Sequence, residues 1–263
     1  MTRALAALMI LPGILLFGPA LAADEAGNWL MLVGTSNLDP AHEAAFNHWY
    51  DDIDIPDVFK VAGYLRARRG LRQEVAGFSS GERTKADGRY LALYDIDTTS
   101  IDRTIIDMLL MAKRMDMAGR SIDALRVTER TYLRRHGSAA ITDKSGAAGG
   151  TYLYLERVSC CRDDATAAAL DDWYDNVRIP AMERAPPRGL RRISRYEVYR
   201  VVMAEPRQVP RFLAVYEFEA DSAPQVVDAM RATNDRMAKD DRLSPWFVED
   251  GSDVFSLIRD VHR

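Results

Sequence analysis

An internal repeat constrains the fold of this chain more than any other feature. The eight residues WYDDIDIP at positions 49–56 recur as WYDNVRIP at positions 173–180, with five identities. Further matches keep the same order: GYLR at 63–66 corresponds to GLRR at 189–192, and YLALY at 90–94 to FLAVY at 212–216. Because the offset of 124 residues changes by no more than two, the sequence indicates two copies of one structural unit.

Composition predicts the boundary between the two copies. Residues 138–150 read SAAITDKSGAAGG, a run of small, polar and glycine residues that is typical of a linker. We therefore predict a first repeat at residues 23–137 and a second repeat at residues 151–263.

Hydrophobic periodicity predicts the same six elements in each copy. The predicted first strands are 29–33 and 152–158, and the helices that follow are 40–53 and 164–177, ended by Pro56 and Pro180. Two strands come next, and then second helices at 100–117 and 224–239 and final strands at 131–135 and 254–258. The order β-α-β-β-α-β predicts an α+β chain of two ferredoxin-like units, each with both helices on one face of an antiparallel sheet. Two such sheets covering each other form a fused, pseudo-dimeric α/β barrel, so we expect a monomer or a weak homodimer.

Apolar residues at helical spacing define the face that each first helix turns to its sheet. The predicted faces are His42, Phe46, Trp49, Tyr50 and Ile53 in the first copy, and Leu170, Trp173, Tyr174 and Val177 in the second.

The N-terminal residues 1–22 have the pattern of a cleaved signal peptide. Arg3 precedes an uncharged apolar run, and Ala20-Leu21-Ala22 forms a small-residue cleavage site. Glycine and proline interrupt the run well before the roughly 20 residues that a membrane span needs. We therefore expect a secreted or periplasmic protein that has no membrane anchor after cleavage. The adjacent Cys160 and Cys161 form either a vicinal disulfide or two reduced thiols in such a compartment.

The charge balance excludes a nucleic-acid partner. Without Arg3, 34 Lys and Arg residues stand against 39 Asp and Glu residues, so the net charge is negative. The arginines clustered at 66–72 and 188–195 are predicted to lie on a solvated sheet face or edge. The sequence also contains no phosphate-binding glycine loop with lysine and no GxSxG motif, which argues against nucleotide-dependent and serine-hydrolase chemistry.

Three short motifs of the first copy resemble the EthD-like branch of the dimeric α/β barrel superfamily. They are FNHWYD at 46–51, IPDV at 55–58 and GYLRARR at 63–69. This resemblance implies chemistry on small molecules by cyclases, isomerases, lyases, dehalogenating or decarboxylating enzymes, cofactor-free monooxygenases or haem enzymes. Similar proteins commonly carry Tyr-x-x-x-His-x-Pro, and the histidine is the expected general acid or base. In this chain the matching positions are Asp54 and Arg178.

Candidate site residues follow from the repeated motif. We predict that Asp54 or Asp51 moves a proton with help from His48 or Tyr50. The predicted substrate-binding residues are Trp49, Trp173, Tyr174, Asp175, Arg178, Tyr94 and Tyr216. Core packing is the alternative for the aromatic residues, and an ion pair with a strand arginine is the alternative for Asp51 and Asp175. Because the copies differ at Asp54 and Arg178, we expect the first copy to carry the activity.

The sequence contains no Cys/His spacing typical of a protein-bound metal, so no cofactor is expected. Haem is the alternative, because one axial histidine suffices and His136 and His262 end the last strands of their copies. The predicted function is cofactor-independent proton transfer on a small apolar, aromatic molecule, of lyase, isomerase or cyclase type. The alternative is a periplasmic protein that binds such a molecule, or haem, without turnover.

Overall fold

The computed structural model describes residues 28–78, 88–141, 149–161, 163–204 and 209–263. The predicted signal peptide lies outside these ranges. Within them, no helix is long and apolar enough to cross a membrane.

The described strands close into a single antiparallel barrel. They are β1 (Trp29–Asn37), β2 (Tyr64–Arg72), β3 (Tyr90–Ile96), β4 (Leu125–Ala140), β5 (Gly150–Val158), β6 (Leu190–Ala204), β7 (Phe212–Ala220) and β8 (Glu249–His262). Around the barrel the order is β1-β3-β2-β8-β5-β7-β6-β4. The first half, β1 to β4, has the spatial order β4-β1-β3-β2, and the second half, β5 to β8, has the same order, β8-β5-β7-β6. The pairs β2–β8 and β4–β6 join the halves.

The helices lie outside the barrel and also repeat between the halves. They are α1 (Glu43–Trp49), α2 (Ile55–Val58) and α3 (Ile101–Met117), then α4 (Asp164–Trp173), α5 (Ile179–Arg184) and α6 (Ala223–Lys239). A π-helical turn connects α1 to α2 at Tyr50–Asp54, and another connects α4 to α5 at Tyr174–Arg178.

These π turns overturn the prediction that Pro56 and Pro180 end their helices. Each proline instead lies in the first turn of the short helix that follows, where its missing N–H is not required. The wider turn contains one extra residue before the proline, so the chain stays helical through it. His42 was also wrongly assigned to the buried face of the first helix. Its side chain is 74% exposed and interacts with Asp39.

The barrel interior is an apolar core shared by both halves. Its buried residues are Leu30, Leu32, Leu91, Leu93, Leu133, Leu153, Leu155, Tyr196, Leu213, Val215 and Phe255. Because side chains alternate along a strand, the neighbouring residues of these strands face the helices. The barrel interior is thus filled by side chains, and the helix-facing side of the sheet is left for a functional site.

Three of the clustered arginines that were predicted to be solvated, Arg68, Arg69 and Arg195, are instead buried, whereas Arg188 is exposed. Arg68 is 3% exposed and donates hydrogen bonds to Asp95 at 3.0 Å and to Glu217 at 2.6 Å. Arg157 joins the halves in the same way, pairing with Asp253 at 2.7 Å and with Glu129 at 3.5 Å. The prediction failed because these carboxylates lie far from the arginines in sequence, and a buried cation is tolerated only where such partners surround it.

The predicted linker begins too early. Ser138, Ala139 and Ala140 belong to β4 and pair with β6. Residues 142–148, the central part of the predicted linker, lie outside the described residues. After them, Cys160 and Cys161 are joined as a vicinal disulfide beyond the end of β5.

Candidate functional site

The candidate site of the first half lies between the helices and the outer face of the sheet. One row of residues crosses four strands there: Arg130 on β4 pairs with Val33 on β1, Val33 with Ala92 on β3, and Ala92 with Arg69 on β2. Val33 and Ala92 are buried and belong to the helix-facing core. The row is therefore a short apolar floor with a guanidinium group at each end.

Asp54 lies above this floor, at the last position of the π turn. It is partly exposed, and it accepts a hydrogen bond of 3.3 Å from the hydroxyl group of Tyr94. Burial raises the pKa of the Asp54 carboxyl group to about 6, although Arg130 and the hydrogen bond from Tyr94 act in the opposite direction. A carboxyl group with this pKa exchanges protons near neutral pH, as general acid–base catalysis requires.

Asp51 and Tyr50 contact the other end of the floor. Arg69, which is fully buried, donates a hydrogen bond of 2.6 Å to Asp51 and one of 2.8 Å to Asn47. Its guanidinium carbon lies 4.2 Å from the centre of the Tyr50 ring. Asp51 is thus engaged in an ion pair, whereas Tyr50 is within electrostatic range of Asp54.

His48 and Trp49 lie apart from Asp54. The His48 side chain is 74% exposed, and its Nδ1 atom is 2.6 Å from the carboxylate of Asp52. The indole N–H group of Trp49 donates a hydrogen bond of 2.6 Å to the backbone carbonyl group of Arg120, beyond the end of α3. The structure does not bring His48 together with the other predicted catalytic residues, and it gives Trp49 a role in packing.

The second half has a buried ion pair where the first half has the partly exposed Asp54. Arg178 and Glu156 are both fully buried, and Arg178 donates a hydrogen bond of 2.8 Å to Glu156. The hydroxyl groups of Tyr174 and Tyr216 donate to the same carboxylate at 3.0 Å and 2.7 Å. The ring centre of Phe247 lies 4.7 Å from the guanidinium carbon of Arg178. These contacts give both charged groups hydrogen-bonding partners at the position that corresponds to Asp54 in the first half, although burial still raises the pKa of Glu156.

Two further predicted residues of the second half repeat the contacts of their first-half counterparts. Arg195 donates a hydrogen bond of 2.8 Å to Asp175 and lies 4.9 Å from the centre of the Tyr174 ring. The indole N–H group of Trp173 donates a hydrogen bond of 2.8 Å to the backbone carbonyl group of Arg242. Both motif aspartates and both motif tryptophans are thus used to hold the helices on the sheet.

Sequence reasoning missed Arg130 and Glu156. A signal for Glu156 was present, because LMLVG at 30–34 corresponds to LYLER at 153–157, which places Glu156 at the position of Val33. The two copies differ at both members of this ion pair, with Val33 and Asp54 in the first copy and Glu156 and Arg178 in the second. Arg130 had no comparable signal, because its strand shows weak similarity between the copies.

The histidines do not suit an axial haem ligand. His136 Nδ1 lies 3.2 Å from an Asp171 oxygen and its Nε2 lies 3.0 Å from a Glu197 oxygen, so carboxylates engage both nitrogens. His262, like His42 and His48, is exposed and adjacent to an aspartate. Burial raises the pKa values of Tyr50 and Tyr94, which opposes the phenolate form of a tyrosine ligand. Among the residues that the structure describes, no cluster of three or more His, Cys, Asp or Glu could hold a metal ion.

Comparison with solved structures identifies the fold. A DyP-type peroxidase from Cellulomonas bogoriensis is similar over 90% of this chain and 91% of its own, with 12% identity and a TM-score of 0.55. An anthrone oxidase-like protein is similar over 89% of this chain and 93% of its own, with 11% identity and a TM-score of 0.50. A candidate monooxygenase from Fusobacterium nucleatum is similar over 90% of this chain and 95% of its own, with 6% identity and a TM-score of 0.51. The chain has the dimeric α/β barrel fold. In this α/β barrel both sheets come from one polypeptide. No protein-family model and no curated protein matches the sequence.

Proposed function

We propose that this α/β barrel is a cofactor-independent enzyme that moves a proton on a small apolar, aromatic molecule in its first half. The observation that carries the proposal is Asp54, a partly exposed carboxyl group beside buried aromatic side chains, with its pKa raised by burial to about 6. At neutral pH this group is largely ionised and is a stronger base than an ordinary aspartate. Similarity to an anthrone oxidase-like protein and a candidate monooxygenase supports a small-molecule substrate.

In the proposed step an Asp54 oxygen takes a proton from a saturated carbon atom that is adjacent to a carbonyl group or linked to it through an aromatic ring. The electron pair of the broken C–H bond forms a C=C bond, and the carbonyl π electrons move to oxygen, which gives an enolate. Tyr94 orients the carboxylate through its hydrogen bond. Return of the proton to another position completes an isomerase-type reaction, whereas loss of a leaving group completes a lyase-type reaction.

The first half is favoured because its ionisable groups are accessible. Asp54 and Arg130 are both partly exposed, whereas Glu156 and Arg178 are fully buried. A substrate would have to break a buried ion pair to use the second half, which is costly.

A protein that binds such a molecule without turnover is the second candidate. The observation in its favour is that neither half has a histidine at the motif position that carries one in similar proteins. Native mass spectrometry of the protein purified from its own host would reveal a retained ligand, and unchanged recovery of that ligand would favour binding over catalysis.

We also propose that the chain consists of two EthD-like, ferredoxin-like repeats and that it is exported. The shared element and strand order of the halves and the shared WYD motifs support the repeat. The signal-peptide pattern of residues 1–22 supports a periplasmic or secreted location.

Proton transfer can be tested with anthrone as the probe. Anthrone deuterated at its methylene carbon is incubated with the protein without oxygen, and loss of deuterium to water is followed by mass spectrometry. Asp54→Asn should slow this loss by roughly a hundredfold to ten-thousandfold if Asp54 is the base. Asp52→Asn is the matched control, because Asp52 is an exposed aspartate of the same π turn. The assignment would be refuted if both variants slowed deuterium exchange equally, or if Asp54→Asn exchanged deuterium at the wild-type rate.

A further inference from the structure

Arg130 is the cation of the first-half site that has no direct anionic contact among the described residues. Its Nε atom is buried and unbonded, and the side chain makes no hydrogen bond or ion pair with any described residue. The Nε atoms of Arg68, Arg69 and Arg195 are unbonded as well. The guanidinium groups of these three arginines and of Arg178 nevertheless each donate at least two hydrogen bonds. Because the side chain is partly exposed, its guanidinium group is available to an anionic or polar group of another molecule.

Its position is set by the register of β4. Arg130 pairs with Val33, and two residues later Tyr132 pairs with Met31, so both side chains face the helices. Arg130 acts electrostatically on the ionisable groups around it, which are Asp54, Tyr50, Tyr64 and Tyr132. Arg130 thus lies among the groups that line the candidate site.

The second half is a comparison built into the same chain. There the cation comes from the π turn as Arg178, the carboxylate comes from the sheet as Glu156, and the two are in contact. In the first half the arrangement is reversed, with the carboxylate of Asp54 on the turn and the guanidinium of Arg130 on the sheet. Among the described residues Asp54 and Arg130 form no direct ion pair, although the charge of Arg130 acts to lower the pKa of Asp54.

We infer that Arg130 binds the oxygen atom of the substrate and that the substrates are enolisable ketones or phenols, whose oxygen becomes negatively charged when a proton is removed. Asp54 attracts the proton while Arg130 attracts the charge that develops on oxygen. A neutral ketone or phenol is less costly to place beside the apolar residues Val33 and Ala92 than a permanent anion is. Donors placed where charge develops stabilise the transition state as well as the anion.

This inference deepens the proposed function, but it can be tested without turnover. The probe is 4-nitrophenol, which absorbs visible light as the phenolate and much less as the phenol. Binding of 4-nitrophenol to the wild-type protein should increase the phenolate fraction. Arg130→Gln should weaken phenolate binding by about tenfold to a hundredfold, the effect expected for a lost charge-assisted hydrogen bond. Arg130→Lys should retain part of the affinity because the charge remains.

Arg134→Gln is the control, because Arg134 is an exposed arginine of the same strand. It should bind 4-nitrophenolate as the wild type does, and circular dichroism should show that each variant is folded. The inference would be overturned if Arg130→Gln bound 4-nitrophenolate as tightly as the wild type does. It would also be overturned if Arg134→Gln lost as much affinity as Arg130→Gln.

The two proposals fail in different ways. If anthrone exchange requires Asp54 but Arg130→Gln binds phenolate with unchanged affinity, the oxygen-binding role is wrong and the proposed function stands. If phenolate binding requires Arg130 but Asp54→Asn exchanges anthrone normally, the proton acceptor is wrong and the anion site stands.

Discussion

Asp54 should lower the stability of the protein at neutral pH, and its replacement should reveal by how much. Burial raises the folded-state pKa of this carboxyl group from its ordinary value of 3.8 to about 6. Because the folded state holds the proton more tightly than the unfolded state, the favourable contribution is complete below the unfolded pKa. It is lost as pH rises through the folded pKa. Each pKa unit corresponds to about 1.4 kcal/mol, so ionisation costs up to about 3 kcal/mol above pH 6.

Asp54→Asn removes the ionisation without changing the shape of the side chain. At about pH 8 we expect the variant to unfold with a free energy up to about 3 kcal/mol greater than that of wild type, whereas at about pH 3 the two should agree. Urea denaturation followed by circular dichroism measures both values. Asp52→Asn, at an exposed position, should change stability by less than about 1 kcal/mol at either pH. A difference for Asp54→Asn that is equal at both pH values, or a variant less stable than wild type at the higher pH, would refute the reasoning.

Further predictions concern activity, the second half and the barrel. Anthrone exchange should rise with pH through about 6, because Asp54 must be ionised to accept a proton; a flat profile would exclude it as the base. Glu156→Val should destabilise the fold by about 3–5 kcal/mol, because it leaves Arg178 buried without its carboxylate partner. The additional change Arg178→Leu should restore most of the lost stability, as measured by urea denaturation. A fragment of residues 28–141 should dimerise or aggregate in size-exclusion chromatography, because β2 and β4 lose their partners. A soluble monomeric fragment would contradict this.

Features with a local cause were predicted well from the sequence. The second helices were expected at 100–117 and 224–239, and α3 and α6 occupy Ile101–Met117 and Ala223–Lys239. The 3.6-residue period that defines such helices is contained in the segment itself, so no distant contact is needed to recognise it. The dimeric α/β barrel architecture was predicted for a similar reason, because the repeat shows the order of elements directly.

Features that depend on distant partners were missed. The final strands extend well beyond their predicted ends, because β4 and β6, and likewise β8 and β2, pair across the two halves. Arg68 was assigned to solvent, although Glu217, one of its partners, lies 149 residues away. In the site, the repeated motif identified Asp54. Arg130 lies on β4, outside the motif, and only the pairing of β4 with β1 places it near Asp54.

The two halves differ in how their carboxylate and guanidinium groups are paired. Each half places one carboxylate and one guanidinium between its π turn and its sheet, with the signs exchanged. In the second half the charges are in contact and two tyrosine hydroxyl groups complete the network, which offsets part of the burial that raises the pKa of Glu156. In the first half the carboxyl pKa is raised and the guanidinium has no described partner, so both groups remain unfavourable in the free protein. A molecule that supplies a proton to Asp54 and a negative oxygen to Arg130 removes both penalties at once. Such a ligand should therefore stabilise the wild-type protein more than Arg130→Gln.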